Sequence, residues 1–258
     1  MKIIVGLAAL VAAVYCAFCA LLYFMQGRLL YPGTTDSNPK GFNSIRVRSG
    51  SADLKVWVLH PDAGPALLYF GGNGEDVGAN LPDFDSAFPG RAVYFMNYRS
   101  YGGSTGVPSE PALIADAQVI YDLIAKTHAS VALMGRSLGS GVAVALATTR
   151  PVEKVVLVTP FDSIANIAAE RYRWAPVRWL IKDHYDSVKR MPHVRAPVLV
   201  IIAEHDASIP LAHTNALLDS IPEAQRHSVM IRGGTHSYFG DYQQYLAIVR
   251  DFLQGSPP

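Results

Sequence analysis

The chain has 258 residues, 50% of them hydrophobic, and Lys+Arg 22 against Asp+Glu 21 leave a formal charge of +1. That is enough apolar material for one sizeable core, and domains mixing strands and helices reach this size without splitting. No run of basic residues is long enough to neutralise a stretch of phosphates, which argues against nucleic acid as a partner. The two cysteines, Cys16 and Cys19, both lie in an N-terminal apolar stretch, so the remainder has neither a disulfide framework nor a thiol nucleophile. No His pair accompanies them at zinc spacing, and nothing calls for a metal or another cofactor.

From Ile3 to Met25 there is no charged residue. As a helix this run measures roughly 34 Å, enough to cross a hydrocarbon layer of about 30 Å. A cleaved signal peptide is the competing reading, given Lys2 and the small residues between Cys16 and Ala20. The apolar run continues past them through Leu21, Leu22, Tyr23, Phe24 and Met25, which favours an uncleaved anchor over residues 1–28. The amino terminus and Lys2 nearly balance Arg28 and Lys40, so flanking charge says little about orientation. A short tail kept inside, with the domain on the extracytoplasmic side, is the expected arrangement. Residues 29–43 read as a connector, with Tyr31 and Pro32 making the first contact with a folded unit spanning 44–258.

Ile45 to Val47 and Leu54 to Leu59 alternate apolar and polar residues around Ser49-Gly50-Ser51, the pattern of an antiparallel hairpin at a sheet edge. Short, nearly continuous apolar runs follow: Ala66 to Phe70, Ala92 to Met96, Val131 to Met134, Val155 to Val158, Val198 to Ile202 and Val229 to Ile231. Strands buried on both faces look like this. Between them lie helical stretches, clearest over 111–126, where Leu113, Ala117, Ile120 and Ile124 recur at helical spacing. The expected fold is α/β, a mainly parallel sheet covered by helices on both faces.

The run Val131 to Met134 leads directly into Gly135-Arg136-Ser137-Leu138-Gly139, and then into small residues suited to a helix. A nucleophile held in a sharp strand-to-helix turn needs glycines two residues either side, because neighbouring backbone comes too close for side chains. Gly135 and Gly139 meet that need. The turn also sets Ser137 at a helix N-terminus, where the Leu138 amide can donate to a developing oxyanion.

A serine nucleophile needs an imidazole base and a carboxylate to orient it, and where the serine sits in a strand–GxSxG–helix turn they follow in the order Ser, acid, His. Asp206 follows the run Val198 to Ile202, and His236 follows Val229 to Ile231 in Gly233-Gly234-Thr235-His236-Ser237. Glu204 and Asp162 are the rival carboxylates. His205 and the remaining histidines lack the context of His236 and read as surface or packing residues. The run Ala66 to Phe70 opens into Gly71-Gly72-Asn73-Gly74-Glu75-Asp76, a loop placed to supply a second oxyanion amide from Asn73. As a phosphate-binding turn it lacks the third glycine of a dinucleotide site and the Lys-Ser/Thr pair of a P-loop.

Phe70 to Asp76, Asn97-Tyr98-Arg99-Ser100-Tyr101-Gly102-Gly103-Ser104, Pro108-Ser109-Glu110, Gly135 to Gly139, Pro197 to Pro210 and Gly234-Thr235-His236 together resemble the Bem46-type branch of the α/β hydrolases. That branch includes ABHD-like membrane-anchored lipases and depalmitoylases. The resemblance spans nearly the whole chain and implies an α/β-hydrolase fold with Ser137, Asp206 and His236 as triad, acting on an acyl ester, thioester or amide. Two departures stand out: Gly71-Gly72 where relatives usually carry His-Gly, and Asn97 where they usually carry Asp.

The segment from Phe161 to His193 is where this fold often inserts a lid, here a short one. Tyr172, Trp174, Trp179 and Tyr185 are candidates to line an acyl groove near the serine, with core packing as the alternative. Three activities remain open: an ester or thioester hydrolase acting on a small-molecule or lipid acyl substrate, a membrane peptidase or amidase with the same triad, and a non-catalytic binding module.

Overall fold

In the computed structural model, which describes residues 1–239 and 242–255, the chain opens with helix α1 (Lys2–Leu30) and then builds an eight-stranded sheet. Its strands are β1 (Asn43–Ser49), β2 (Ala52–Leu59), β3 (Pro65–Phe70), β4 (Ala92–Met96), β5 (Ser130–Arg136), β6 (Val155–Val158), β7 (Val198–His205) and β8 (Arg226–Thr235). The order across the sheet is β1-β2-β4-β3-β5-β6-β7-β8. β1 and β2 form the antiparallel edge hairpin, β2 pairs antiparallel with β4, and every later pairing is parallel.

Strands β3 to β7 are buried on both faces because helices cover both, whereas β8 at the sheet edge is largely exposed, so the run Val229 to Ile231 is not the doubly buried strand its composition suggests. Leu68, Phe70, Leu133, Leu157 and Val200 point into one core, while Leu67, Tyr69, Met134, Val156 and Ile201 point into the other. Helix α2 (Leu81–Ala87) and helix α9 (Tyr242–Gln254) serve the second core through Phe84, Leu246 and Val249. Helix α3 (Glu110–Ile124) serves the first, burying Leu113, Ala117, Ile120 and Ile124. Its start is fixed by Ser109, whose side chain accepts the Ala112 amide, and by Pro111 in the first turn. Helix α4 (Leu138–Ala147) has every residue buried, which explains its small side chains: a Cβ on Gly141 would lie 2.7 Å from the Tyr185 ring.

Between β6 and β7 a short cap holds α5 (Ile164–Arg171), α6 (Val177–Leu180) and α7 (Ser187–Arg190), and α8 (Leu211–Asp219) follows β7. Glu110 ties this cap to α3, accepting the amides of His184 and Tyr185 and pairing with Arg190 at 2.6 Å.

Two further expectations need correction. Strand β8 extends to Thr235 rather than stopping at Ile231, because its pairing with β7 resumes at His205↔Thr235 beyond an irregularity between Ala203 and His205. Gly233, at φ 68°, lies within this stretch. Contact between the N-terminal helix and the domain also begins well before Tyr31. Tyr15 donates to the Trp174 carbonyl at 2.9 Å and Gln26 to the Leu180 carbonyl at 3.0 Å, since the cap lies alongside α1.

Candidate active site

Ser137 sits between β5 and α4 with φ 48° and ψ −116°, a conformation that L-residues rarely adopt. The turn is held by the Ser137 amide donating to the Val158 carbonyl at 2.9 Å and by Ser140 donating to the Ser137 carbonyl. A Cβ on Gly135 would overlap the Gly139 carbonyl oxygen, and one on Gly139 would overlap the Phe70 carbonyl oxygen. Close backbone approach leaves no room for a side chain at either position.

The paired residues His205 and Thr235 on β7 and β8 are each followed by a predicted site residue, Asp206 and His236. Strand pairing therefore brings these two loops together. His236 Nδ1 donates to Asp206 Oδ2 at 2.8 Å, and His236 Nε2 lies 2.9 Å from Ser137 Oγ. With its Nδ1 proton committed to the carboxylate, the neutral ring leaves Nε2 free to accept the serine proton.

The Asp206 side chain is 3% exposed. Its Oδ1 accepts the amides of Ser208 at 2.9 Å and Ile209 at 2.8 Å. Burial pushes its pKa up, but the hydrogen bond from His236, the two amides and the attraction of the imidazole outweigh burial and hold it below the ordinary carboxylate value.

The two rival carboxylates face elsewhere. Glu204 accepts the Gly233 amide at 2.8 Å. Asp162 lies 2.9 Å from Nδ1 of buried His213, whose Nε2 meets Glu170 at 3.0 Å. His213 thus packs between two carboxylates, remote in role from His236.

Ser137 and His236 open onto a cavity of about 600 Å³, lined also by Asn73, Leu138, Arg136, Phe161 and Ile164. Leu138 begins α4, so its amide belongs to the helical turn that has no intrahelical acceptor. Asn73 occupies the turn Gly72–Glu75, closed by the Glu75 amide on the Gly72 carbonyl at 3.2 Å. Both predicted oxyanion residues therefore border the same cavity as the serine.

Two further side chains support this loop. Glu75 accepts the Gly72 backbone amide, the Tyr69 hydroxyl and the Asn80 side-chain amide, and lies 3.5 Å from Arg136. Tyr98, buried after β4, donates to the Gly71 carbonyl at 2.7 Å. The available signal for Glu75 was its place three residues after Gly72, where an acidic side chain can fold back onto the backbone. Arg136 is engaged by Glu75 and donates to the His236 carbonyl at 3.3 Å.

The aromatic candidates do not line this cavity. Tyr185 is wholly buried in the core, its hydroxyl 2.8 Å from that of Tyr31, while Trp174 and Trp179 are 50% and 90% exposed. Tyr172 faces α1 instead.

No protein-family model matches the chain. An uncharacterized protein of Mycobacterium tuberculosis is 34% identical over 263 residues, covering 95% of this chain and 93% of its own length. Protein bem46 of Schizosaccharomyces pombe is 27% identical over 265 residues, covering 90% and 87%. Among solved structures, an esterase of Pyrococcus furiosus superposes with a TM-score of 0.69 at 12% identity, covering 83% of this chain and 91% of its own, a likeness of fold. Full-length similarity at this level, on a sheet with a strained serine turn between β5 and α4, makes the chain a member of the Bem46-type branch of the α/β hydrolases.

Proposed function

We propose that the protein is a serine hydrolase that cleaves acyl esters or thioesters through an acyl-enzyme intermediate. The observation that carries this reading is the relay Ser137 Oγ to His236 Nε2 at 2.9 Å and His236 Nδ1 to Asp206 at 2.8 Å, at the mouth of the 600 Å³ cavity. His236 takes the serine proton as Oγ attacks the acyl carbonyl, and Asp206 holds the ring and offsets the imidazolium charge. The tetrahedral oxyanion is met by the amides of Leu138 and Asn73. His236 then returns the proton to the leaving alcohol or thiol. A water activated by the same imidazole cleaves the acyl-serine, releasing the acid and the free hydroxyl.

Residues 1–28 act in this reading as an uncleaved membrane anchor, 29–43 as connector and 44–258 as the catalytic domain, on the extracytoplasmic side. Support comes from α1, whose 29 residues have a mean hydropathy of 2.6 in their most apolar window and are unburied there. Such an anchor holds the site where lipid or lipidated substrates are concentrated.

A fluorophosphonate probe tests the nucleophile: wild type is labelled and Ser137→Ala is not. A panel of p-nitrophenyl esters, acyl thioesters and aminoacyl anilides then assigns the bond. Turnover of the anilides alone would replace the esterase reading with an amidase, and no labelling or turnover would leave a binding module.

A further inference from the structure

The contacts between α1 and the cap have a consequence for membrane depth. The ring centroids of Phe18 and Trp174 are 4.8 Å apart, and Tyr15 donates to the Trp174 carbonyl. If the span runs from Ile3 to Met25, Phe18 lies about 10 Å inward of its end, a third of a hydrocarbon layer about 30 Å thick. A segment packed against Phe18 must then be in the bilayer as well. Higher up, Lys182 covers the Tyr23 ring at 4.1 Å and its amide donates to Gln26 at 2.8 Å, at the level of the headgroups.

The chemistry of the segment agrees with that depth. Trp174 and Trp179 are exposed, and the basic side chains of Arg171, Arg173, Arg178 and Lys182 flank them in the same segment. Aromatic rings with flanking cations are the composition of a membrane interface that carries anionic headgroups. Between α1 and the cap runs an apolar groove lined by Leu22, Leu29, Ala168, Tyr172, Leu180 and Ile181. Leu29 and Ala168 on its wall adjoin Leu30 and Ile167, which line the Ser137 cavity. Groove and cavity are both walled by α1 and α5.

We propose that residues 171–182 form a second membrane-seated element, and that the α1–α5 seam admits the acyl chain of a bilayer lipid sideways to Ser137. The substrate half of this proposal rests on the serine-hydrolase reading; the membrane seat does not.

Full-length protein is reconstituted in phosphatidylcholine–phosphatidylglycerol vesicles whose acyl chains carry bromine, and tryptophan emission is recorded. The third tryptophan, Trp57, is buried in the domain at 2% exposure. Bromine quenches the wild type, and the quenching is lost in the Trp174→Phe/Trp179→Phe variant. An unquenched wild type, or equal quenching of both, overturns the membrane seat. For the seam, Ala168→Trp fills the groove and lowers the ratio of vesicle-embedded long-chain ester hydrolysis to soluble short-ester hydrolysis by about tenfold or more. Ala175→Leu, a smaller filler of the same groove, serves if that variant does not fold. An unchanged ratio overturns the route. A wild type that turns over neither ester defeats the hydrolase reading and with it the route, while the quenching still decides the seat.

Discussion

The Glu75 carboxylate accepts the Gly72 amide at 2.6 Å, closing the turn on which exposed Asn73 sits. Because the same carboxylate also binds Tyr69 and Asn80, the loop opposite Ser137 is held from beneath by one acidic side chain. Glu75→Ala takes the acceptor from the Gly72 amide and one acceptor each from Tyr69 and Asn80, at about 1–3 kcal/mol for a donor left buried and unsatisfied. Loss of a placed oxyanion amide costs on the order of a hundredfold in kcat or more. The expected result is a fall of about tenfold to a hundredfold in kcat with little change in KM, partly restored in Glu75→Gln, whose amide oxygen still accepts. A kcat within about twofold of wild type in a folded Glu75→Ala protein would remove Glu75 as a positioning residue.

The strained turn gives a prediction in stability. At φ 48° and ψ −116° a residue with a Cβ costs about 1–3 kcal/mol, and glycine escapes much of that. Both Ser137→Ala and Ser137→Gly should lack hydrolysis and probe labelling. Ser137→Gly should nevertheless melt higher than Ser137→Ala, reversing the usual order of the two residues. Gly135→Val and Gly139→Val should instead fail to fold, since their side chains meet backbone carbonyls. An alanine variant that melts above the glycine variant would show that the turn is unstrained.

Much of this site was legible because its causes are local. The strand from Val131, the two glycines and the small-residue helix each answer a steric need of a few consecutive residues. The loop residues Asp206 and His236 stand out in the sequence by their place after apolar runs, although the pairing of His205 with Thr235 that juxtaposes them is a property of two strands together. Trp174 and Trp179 misled as groove candidates near the serine because aromatic content carries no direction. Which way they point depends on α1 lying along the cap, a contact between residues far apart in sequence, such as Tyr15 and Trp174. Glu75 was passed over for a related reason: its partners Tyr69 and Asn80 lie on either side of the loop, and only the fold turns all three inward.

Asp206 links the site to acid stability. Its folded pKa lies below the unfolded value of about 3.9, so the stabilisation it brings is fully present above that value and lost as pH falls through the folded pKa. The melting-temperature gap between wild type and Asp206→Asn should therefore be constant from neutrality to about pH 5 and close at more acid pH. The same substitution should lower kcat on the order of a thousandfold or more, with Glu204→Gln and Asp162→Asn milder in chemistry. A gap that widens on acidification would contradict a depressed Asp206 pKa, and a benign Asp206→Asn with a damaging Asp162→Asn would move the acid.

The N-terminal helix is the element whose removal separates anchoring from catalysis. Full-length protein should fractionate with membranes and resist carbonate extraction, given an uncharged run from Ile3 to Met25. A chain starting at Gln26 keeps Ser137, Asp206 and His236, and also Leu30 at the cavity wall, so it should hydrolyse a soluble short-chain ester. It also loses Tyr15, Phe18 and Leu22, which cover Trp174, Tyr172 and the apolar groove. Its cap should accordingly be cut by protease within residues 171–182 faster than in the full-length protein, and it should self-associate unless detergent covers the bared face. Equal cleavage rates would mean that α1 does not hold the cap. Soluble mature protein with an N-terminus near Ala20 would replace the anchor by a signal peptide, and a folded but inactive truncated chain would place α1 inside the catalytic machinery.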